Sequence, residues 1–126
     1  MQVTSIPPVG SRVKLTSDGR RWWDVRAADE RFAILTRQAE FRPKGEVCYT
    51  ILDVEQGVRG PCNLIGQSWH ATMPDEECAS LLEALNTDPA ADWPALHVEV
   101  SHRNRVPLDL GEVRPALKTK GTQCES

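Results

Sequence analysis

The sequence predicts an α+β protein, with a small antiparallel β-barrel or bent sheet of SH3-like size, one amphipathic helix and a further C-terminal strand. Between residues 11 and 69, short runs of alternating apolar and polar residues are separated by turn-forming residues, which is typical of a small barrel. After residue 69 the apolar spacing becomes that of a helix, and alternation returns in "LHVEVS", residues 96–101.

Four runs before the helix predict strands, namely "SRVKLT", "WWDVRA", "RFAILTRQ" and "VCYTILDVE". In "WWDVRA", alternation places Trp23, Val25 and Ala27 on one face and Trp22 on the other. "RFAILTRQ" is apolar on both faces, as in a strand buried on both sides. "VCYTILDVE" should be the longest strand. We interpret "QGVRGP" as a turn and "CNLIGQSW" as a short strand that ends at Trp69.

The helix is predicted over about residues 73–86, because its apolar residues recur at i, i+3, i+4 and i+7; they are Cys78, Leu81, Leu82 and Leu85. Thr72 is the predicted N-cap. Three acidic residues in the first turn complement the helix dipole, and this role is a simpler explanation for them than a metal or acid–base site: Asp75, Glu76 and Glu77.

After "LHVEVS", the run "NRVPLDLGEVRP" predicts an edge segment, because Pro107 has no N–H to donate within a sheet. We therefore expect a single domain over residues 1–114. Residues 115–126 have little to bury and are predicted to form a flexible tail.

Composition favours an ordinary globular protein: 40% of the 126 residues are hydrophobic and 26% are charged. No apolar run approaches the roughly 20 residues that span a bilayer, so no membrane segment is expected. The N-terminal residues do not resemble a secretory signal, which favours a cytoplasmic location and reduced cysteines.

Cys62, His70 and Cys78 are evenly spaced, but their separation is wider than structural zinc sites favour.

No motif in the chain predicts a reaction. The sequence has three histidines, but it has no G-x-S-x-G nucleophile elbow and no cysteine in a catalytic context. Neither of the phosphate-loop patterns G-x-G-x-x-G and G-x-x-x-x-G-K-[ST] occurs. We therefore expect a protein that is not an enzyme, with no cofactor and no metal site.

Positive charge concentrates between Arg12 and Lys44, where nine basic residues face five acidic ones. If Trp23 faces inward, Trp22 lies outside among arginines, which is typical of an interface hot spot and also of a surface that stacks nucleic-acid bases. The alternative is a Trp22 covered by the helix or by "LHVEVS". The loop "RPKGE" is a second candidate contact, equally well explained as a solvated hairpin tip. The candidate binding residues are Arg20, Arg21, Trp22, Arg26, Arg37, Phe41, Arg42 and Lys44.

The motifs "RFAILTRQ", "PKGE", "YTILD" and "RGPCNLIG", within about residues 9–69, resemble small uncharacterised proteins of actinobacteria and their bacteriophages. The resemblance implies a phage or prophage gene in an actinobacterial host, and it assigns no activity. The function we expect is a noncatalytic binding module that acts on a host or phage protein. The alternative is a nucleic-acid-binding small barrel, against which the acidic second half of the chain argues.

Overall fold

The structure, a computed structural model, describes residues 6–16, 21–38, 46–63, 67–87 and 104–115. Within these residues it contains eight β-strands and one α-helix. In chain order they are β1 (Arg12–Leu15), β2 (Trp22–Ala28), β3 (Phe32–Gln38), β4 (Glu46–Asp53), β5 (Val58–Cys62), β6 (Trp69–Thr72), α1 (Asp75–Thr87), β7 (Asn104–Pro107) and β8 (Leu110–Arg114).

The strands form one curled antiparallel sheet, in the order β7-β5-β4-β3-β2-β1-β8, with β6 paired to the first half of β4. The predicted fold class is thus confirmed: a small, barrel-like antiparallel sheet with one helix and a C-terminal strand pair. β4 is the longest strand, as its run of β-branched and aromatic residues predicts. No helix in the described segments has the length and apolar character needed to cross a membrane.

One short segment joins the two ends of the sheet. The terminal strands β7 and β8 are separated only by Leu108 and Asp109. The Leu108 N–H donates to the Gly57 carbonyl beside β5 (2.9 Å), and the Asp109 carbonyl accepts from the Thr16 N–H at the end of β1 (2.9 Å). Adjacent residues therefore bond to opposite ends of the sheet, which holds it in its curled form.

The sheet buries apolar side chains on both faces. The helix packs on the outer face, where the core consists of Phe32, Ile34, Tyr49, Ile51, Met73, Cys78, Leu81 and Leu85. The inner face of the curl holds Val13, Leu15, Trp23, Val25, Ala33, Leu35 and Leu52. β3 is buried on both sides from Phe32 to Thr36, as its apolar pattern predicts.

The predicted face assignment of β2 is correct at Trp23 and Val25 and wrong at Ala27. The β2–β3 register shifts between Val25 and Ala27, which indicates a bulge. Because an extra residue reverses the alternation of side chains, Ala27 packs with the helix-side core while Trp23 and Val25 stay on the inner face.

Two other local predictions are wrong. "VRGPC" forms β5 and not a turn, because Val58 and Gly60 pair with the second half of β4. The next strand begins at Trp69 instead of ending there. The helix is not capped by Thr72, which lies in β6; the Pro74 carbonyl accepts the first helical bond, from the Cys78 N–H (3.1 Å).

The position of Pro107 agrees with its sequence interpretation, since β7 and β8 are the terminal strands of the sheet. Other predictions fall outside the described residues. These are the strand "LHVEVS", the "RPKGE" loop and the tail after residue 115.

Gly60 lies where the backbone of β5 is close to that of β7. A Cβ at this position would lie 2.7 Å from the Asn104 carbonyl oxygen, which is backbone and has little freedom to move. We expect Gly60→Ala to lower the free energy of unfolding by about 1–3 kcal/mol through this overlap. Urea denaturation checks the value, with Gly57→Ala as a control: its Cβ would meet no atom within 4 Å, although its φ of +71° is strained for alanine. No loss of stability in Gly60→Ala would show that the overlap is relieved without cost.

Candidate functional site

The outer face of the sheet carries a charged surface around Trp22, on the part formed by β2, β1 and β8. The register pairs Arg12 with both Asp24 and Arg114, and pairs Lys14 with Trp22, so these side chains lie on one face of three neighbouring strands. Glu112 joins them through its ion pair with Lys14. We call this surface the Trp22 face; its residues are Arg12, Lys14, Trp22, Asp24, Glu112 and Arg114.

Two cations hold the Trp22 ring. The Lys14 ammonium lies 4.7 Å from the ring centroid, and the central carbon of the Arg114 guanidinium lies 4.5 Å from it. Cation–π contacts of this kind are worth about 0.5–1 kcal/mol each at exposed sites. Because the contacts come from two other strands, they restrict the orientation of the ring.

Trp22 is half-buried and belongs to neither hydrophobic core of the described residues. It is therefore not a core side chain under the helix, which was one of the two covered arrangements considered from the sequence. The other, a cover provided by "LHVEVS", concerns residues that the structure does not describe.

The charges of the Trp22 face are loosely paired. Arg12 bonds Asp24 at 3.2 Å with both side chains about half exposed, and Lys14 lies 3.5 Å from an exposed Glu112. Exposed ion pairs of this kind contribute about 0–1 kcal/mol to stability, so they can be broken at little cost. With three cations against two carboxylates, the surface has a net charge of +1.

Arg26 does not belong to this surface, although it was a candidate binding residue. Its guanidinium bonds the carboxylate of Asp75 (2.5 Å), the Met73 carbonyl (3.2 Å) and the Thr36 hydroxyl (3.3 Å). The hydrogen bond that Arg26 donates to Asp75 is the main cause that raises the pKa of Arg26, and partial burial opposes it. Arg26 therefore ties the first turn of the helix to the sheet.

Arg37 lies on the opposite, inner face of the sheet. Its guanidinium carbon is 5.1 Å from the centroid of the Trp23 ring, and the side chain is half-buried. Arg21 is exposed next to β2. The four remaining candidates lie outside the described residues: Arg20, Phe41, Arg42 and Lys44.

Two of the described cysteines, Cys62 and Cys78, have structural surroundings. Cys78 is buried in the helix-side core, and the Cys62 thiol donates to the Asn104 carbonyl (3.3 Å) at the end of β5. Burial raises the pKa of both thiols, which disfavours the nucleophilic thiolate. His70 stacks on Trp69 with a centroid distance of 5.4 Å. In the segments that the structure describes, no three His, Cys, Asp or Glu side chains are grouped as a metal site requires.

Comparison with known proteins gave no match: no family model matches the chain, and no curated protein or solved structure is significantly similar to it. The geometry of the chain itself is therefore the basis on which its function is argued.

The sequence interpretation missed the two cations that frame Trp22. Lys14 was visible as an outward residue of the first strand, but its contact with Trp22 depends on the register of β1 against β2. Arg114 lies 92 residues after Trp22 in the sequence, and it reaches the Trp22 ring only because β8 pairs with β1. No local sequence pattern predicts such a pairing.

Proposed function

We propose that this protein is a noncatalytic binding module of the cytoplasm, and that the Trp22 face contacts a protein partner. The observation that carries this proposal is the half-buried Trp22 ring, held between Lys14 and Arg114 on an accessible charged surface. Tryptophan and arginine are the residues most enriched where binding energy concentrates in protein interfaces.

The fixed orientation of Trp22 favours binding. A ring already held by two cations loses little conformational freedom when a partner covers it, so less of the contact energy is spent on ordering. The surrounding ion pairs are exposed and can rearrange to meet charges on the partner.

A protein partner fits the charges better than a nucleic acid. Asp24 and Glu112 lie within the Trp22 face, and the exposed side of the helix adds further carboxylates: Asp75, Glu76, Glu77 and Glu83. A polyanion is attracted by clustered cations without interleaved carboxylates, and the chain as a whole has a net charge of −3. Nucleic-acid binding is therefore the less favoured alternative, and the affinity purification described below distinguishes it from binding to a protein.

The sequence resemblance to small actinobacterial and phage proteins supports a specific context. We propose that the gene belongs to a phage or prophage and that the partner is a host or phage protein. An actinobacterial lysate is accordingly the material in which to search for it.

Trp22→Ala should abolish capture of the partner while leaving the protein folded. The variant loses two cation–π contacts, so we expect its free energy of unfolding to fall by only about 1–2 kcal/mol. The measurement is affinity purification of the tagged protein from the lysate, with and without nuclease, using wild type, Trp22→Ala and Arg114→Ala. Arg105→Ala is the matched control, since Arg105 is also an exposed arginine of a terminal strand, in β7.

The proposal is supported if one protein copurifies in stoichiometric amount after nuclease treatment. This protein should be captured by Arg105→Ala and should not be captured by Trp22→Ala or Arg114→Ala. Recovery of nucleic acid that is lost after nuclease, together with a steep fall of affinity with salt, would favour the alternative. Equal capture by all four proteins would show that the Trp22 face is not the contact surface.

A further inference from the structure

The strand β8 has a neighbour on one side only. Among the described strands it pairs with β1, and it is the last strand in the sheet order. The reason lies in the segment before it: the chain leaves β5 after Leu108 and crosses to β1 at Asp109. Beyond Asp109, no strand in the segments that the structure describes pairs with the edge of β8 that points away from β1.

The exposed residues of β8 have the character of a contact strand. Glu112, Val113 and Arg114 are all exposed, and Val113, with 43% of its surface accessible, is one of two large hydrophobic residues left exposed among the described residues. Glu112 and Arg114 lie on the Trp22 face, so alternation directs Val113 to the other face of the strand.

One row of charged side chains crosses the sheet from β2 to β8, and it ends at β8 with two adjacent positive charges and one negative charge. Asp24, Arg12 and Arg114 are successive neighbours across β2, β1 and β8. Arg12 and Arg114 are directly opposite each other, an arrangement of like charges that destabilises a sheet. Asp24 pairs with Arg12 on one side. A carboxylate on a strand added beside β8 would draw the Arg114 guanidinium away from the Trp22 ring, which Lys14 still contacts, and would make the row negative, positive, positive, negative.

We propose that β8 accepts an extended segment of the partner by β-strand addition, with an acidic side chain opposite Arg114 and an apolar side chain opposite Val113. This inference rests on the proposed function and adds the form of the ligand. Main-chain hydrogen bonds to the open edge supply affinity, and the side chains beside Arg114 and Val113 supply specificity.

The same arginine explains how the open edge avoids indiscriminate pairing. Natural proteins place charges and prolines on sheet edges to discourage association, and β8 ends in Arg114 followed by Pro115. A charge at an edge rejects strands that carry the same charge, yet it attracts a strand with the opposite charge at the matching position. Protection of the edge and selection of an acidic segment therefore have one cause.

The test uses labelled peptides of about seven residues, within the usual range of strand lengths, in which threonine and valine alternate around a central glutamate. A second peptide has lysine at the centre. A third keeps the glutamate but carries a methyl group on every second backbone nitrogen, which prevents it from donating to a ladder. Fluorescence anisotropy measures binding to the full chain, and backbone hydrogen exchange of β8 reports whether a strand has been added.

We expect the glutamate peptide to bind about 5- to 10-fold more tightly than the lysine peptide, from the charge opposite Arg114. The N-methylated peptide should not bind, and β8 amides should exchange more slowly only with the unmodified glutamate peptide. Arg114→Glu should reverse the preference between glutamate and lysine. Arg105→Glu, which makes the same charge change on β7, should leave it unchanged.

Two results would overturn strand addition. Equal binding of the N-methylated and unmodified glutamate peptides would show that only the charge of the surface is recognised. Failure of every peptide to bind, or to protect β8, would show that the edge does not accept a strand. In either case, loss of the lysate partner from Trp22→Ala would still support the Trp22 face as the binding surface, so the two proposals are separable.

Discussion

Trp23→Ala should lower the free energy of unfolding by about 3–5 kcal/mol, the usual cost of removing a large buried aromatic side chain. Trp23 is only 1% exposed and lies on the inner face of the curled sheet, among Val13, Val25 and Leu35. Arg37 covers its ring from the same face. Truncation leaves a cavity that the surrounding strands cannot fill without changing their register. Urea denaturation followed by far-ultraviolet circular dichroism measures the loss.

The neighbouring Trp22→Ala variant is the matched control. It makes the same chemical change one residue earlier in the same strand, and we expect it to cost about 1–2 kcal/mol because Trp22 belongs to neither core. The two variants should also separate in function: Trp22→Ala loses the partner, whereas any binding defect of Trp23→Ala should follow its loss of stability. A comparable loss of stability in both variants would contradict the assignment of Trp22 to the surface.

Asp109→Ala should lower the free energy of unfolding by about 3 kcal/mol, because it removes the carboxylate beside a buried guanidinium. Arg59 is 1% exposed, and its Nε lies 2.6 Å from Oδ1 of Asp109. The expected loss is at the lower end of the range for broken buried pairs, since the Asp109 side chain keeps 18% of its surface exposed. Asp109 is also the residue whose carbonyl bonds β1, so the pair lies at the point where the sheet is held in its curl.

The control for this second prediction is Asp75→Ala. Asp75 pairs with Arg26 at a similar distance, 2.5 Å, but its side chain is 91% exposed, so we expect a loss of about 1 kcal/mol or less. A further variant, Arg59→Met with Asp109→Leu, replaces both charges by apolar side chains and should be more stable than Asp109→Ala alone. If Asp109→Ala is no more harmful than Asp75→Ala, the Arg59–Asp109 pair does not stabilise the closed curl.

The sequence by itself was enough to predict which segments form most of the secondary structure. Alternation predicted β1 and β2, whereas β3 and β4 were predicted from runs of apolar, β-branched and aromatic residues. The helix was recognisable from Cys78, Leu81 and Leu85, which are its buried residues. Alternation correctly placed Trp22 and Trp23 on opposite faces, of which Trp23 is the buried one, and Pro107 correctly marked a strand at the end of the sheet.

Local patterns were insufficient where packing overrides composition. "VRGPC" has the composition of a turn, yet it forms β5 because β4 offers it a backbone partner on one side and β7 on the other. Ala27 changed faces because a bulge inserts one residue, and nothing in the run "WWDVRA" predicts where the ladder will be interrupted.

The sequence left open whether Trp22 lies outward in a basic region or is covered, and it did not predict most of the residues that surround the ring. Arg26 and Arg37 look equivalent to Arg12 as charges in a strand, yet one ties down the helix and the other covers Trp23. The residues that frame Trp22 come from the two ends of the described chain, and they meet because β1 pairs with both β2 and β8. Alternation along a strand determines which face a side chain takes, whereas the order and register of strands, set by packing across the whole sheet, determine its neighbours.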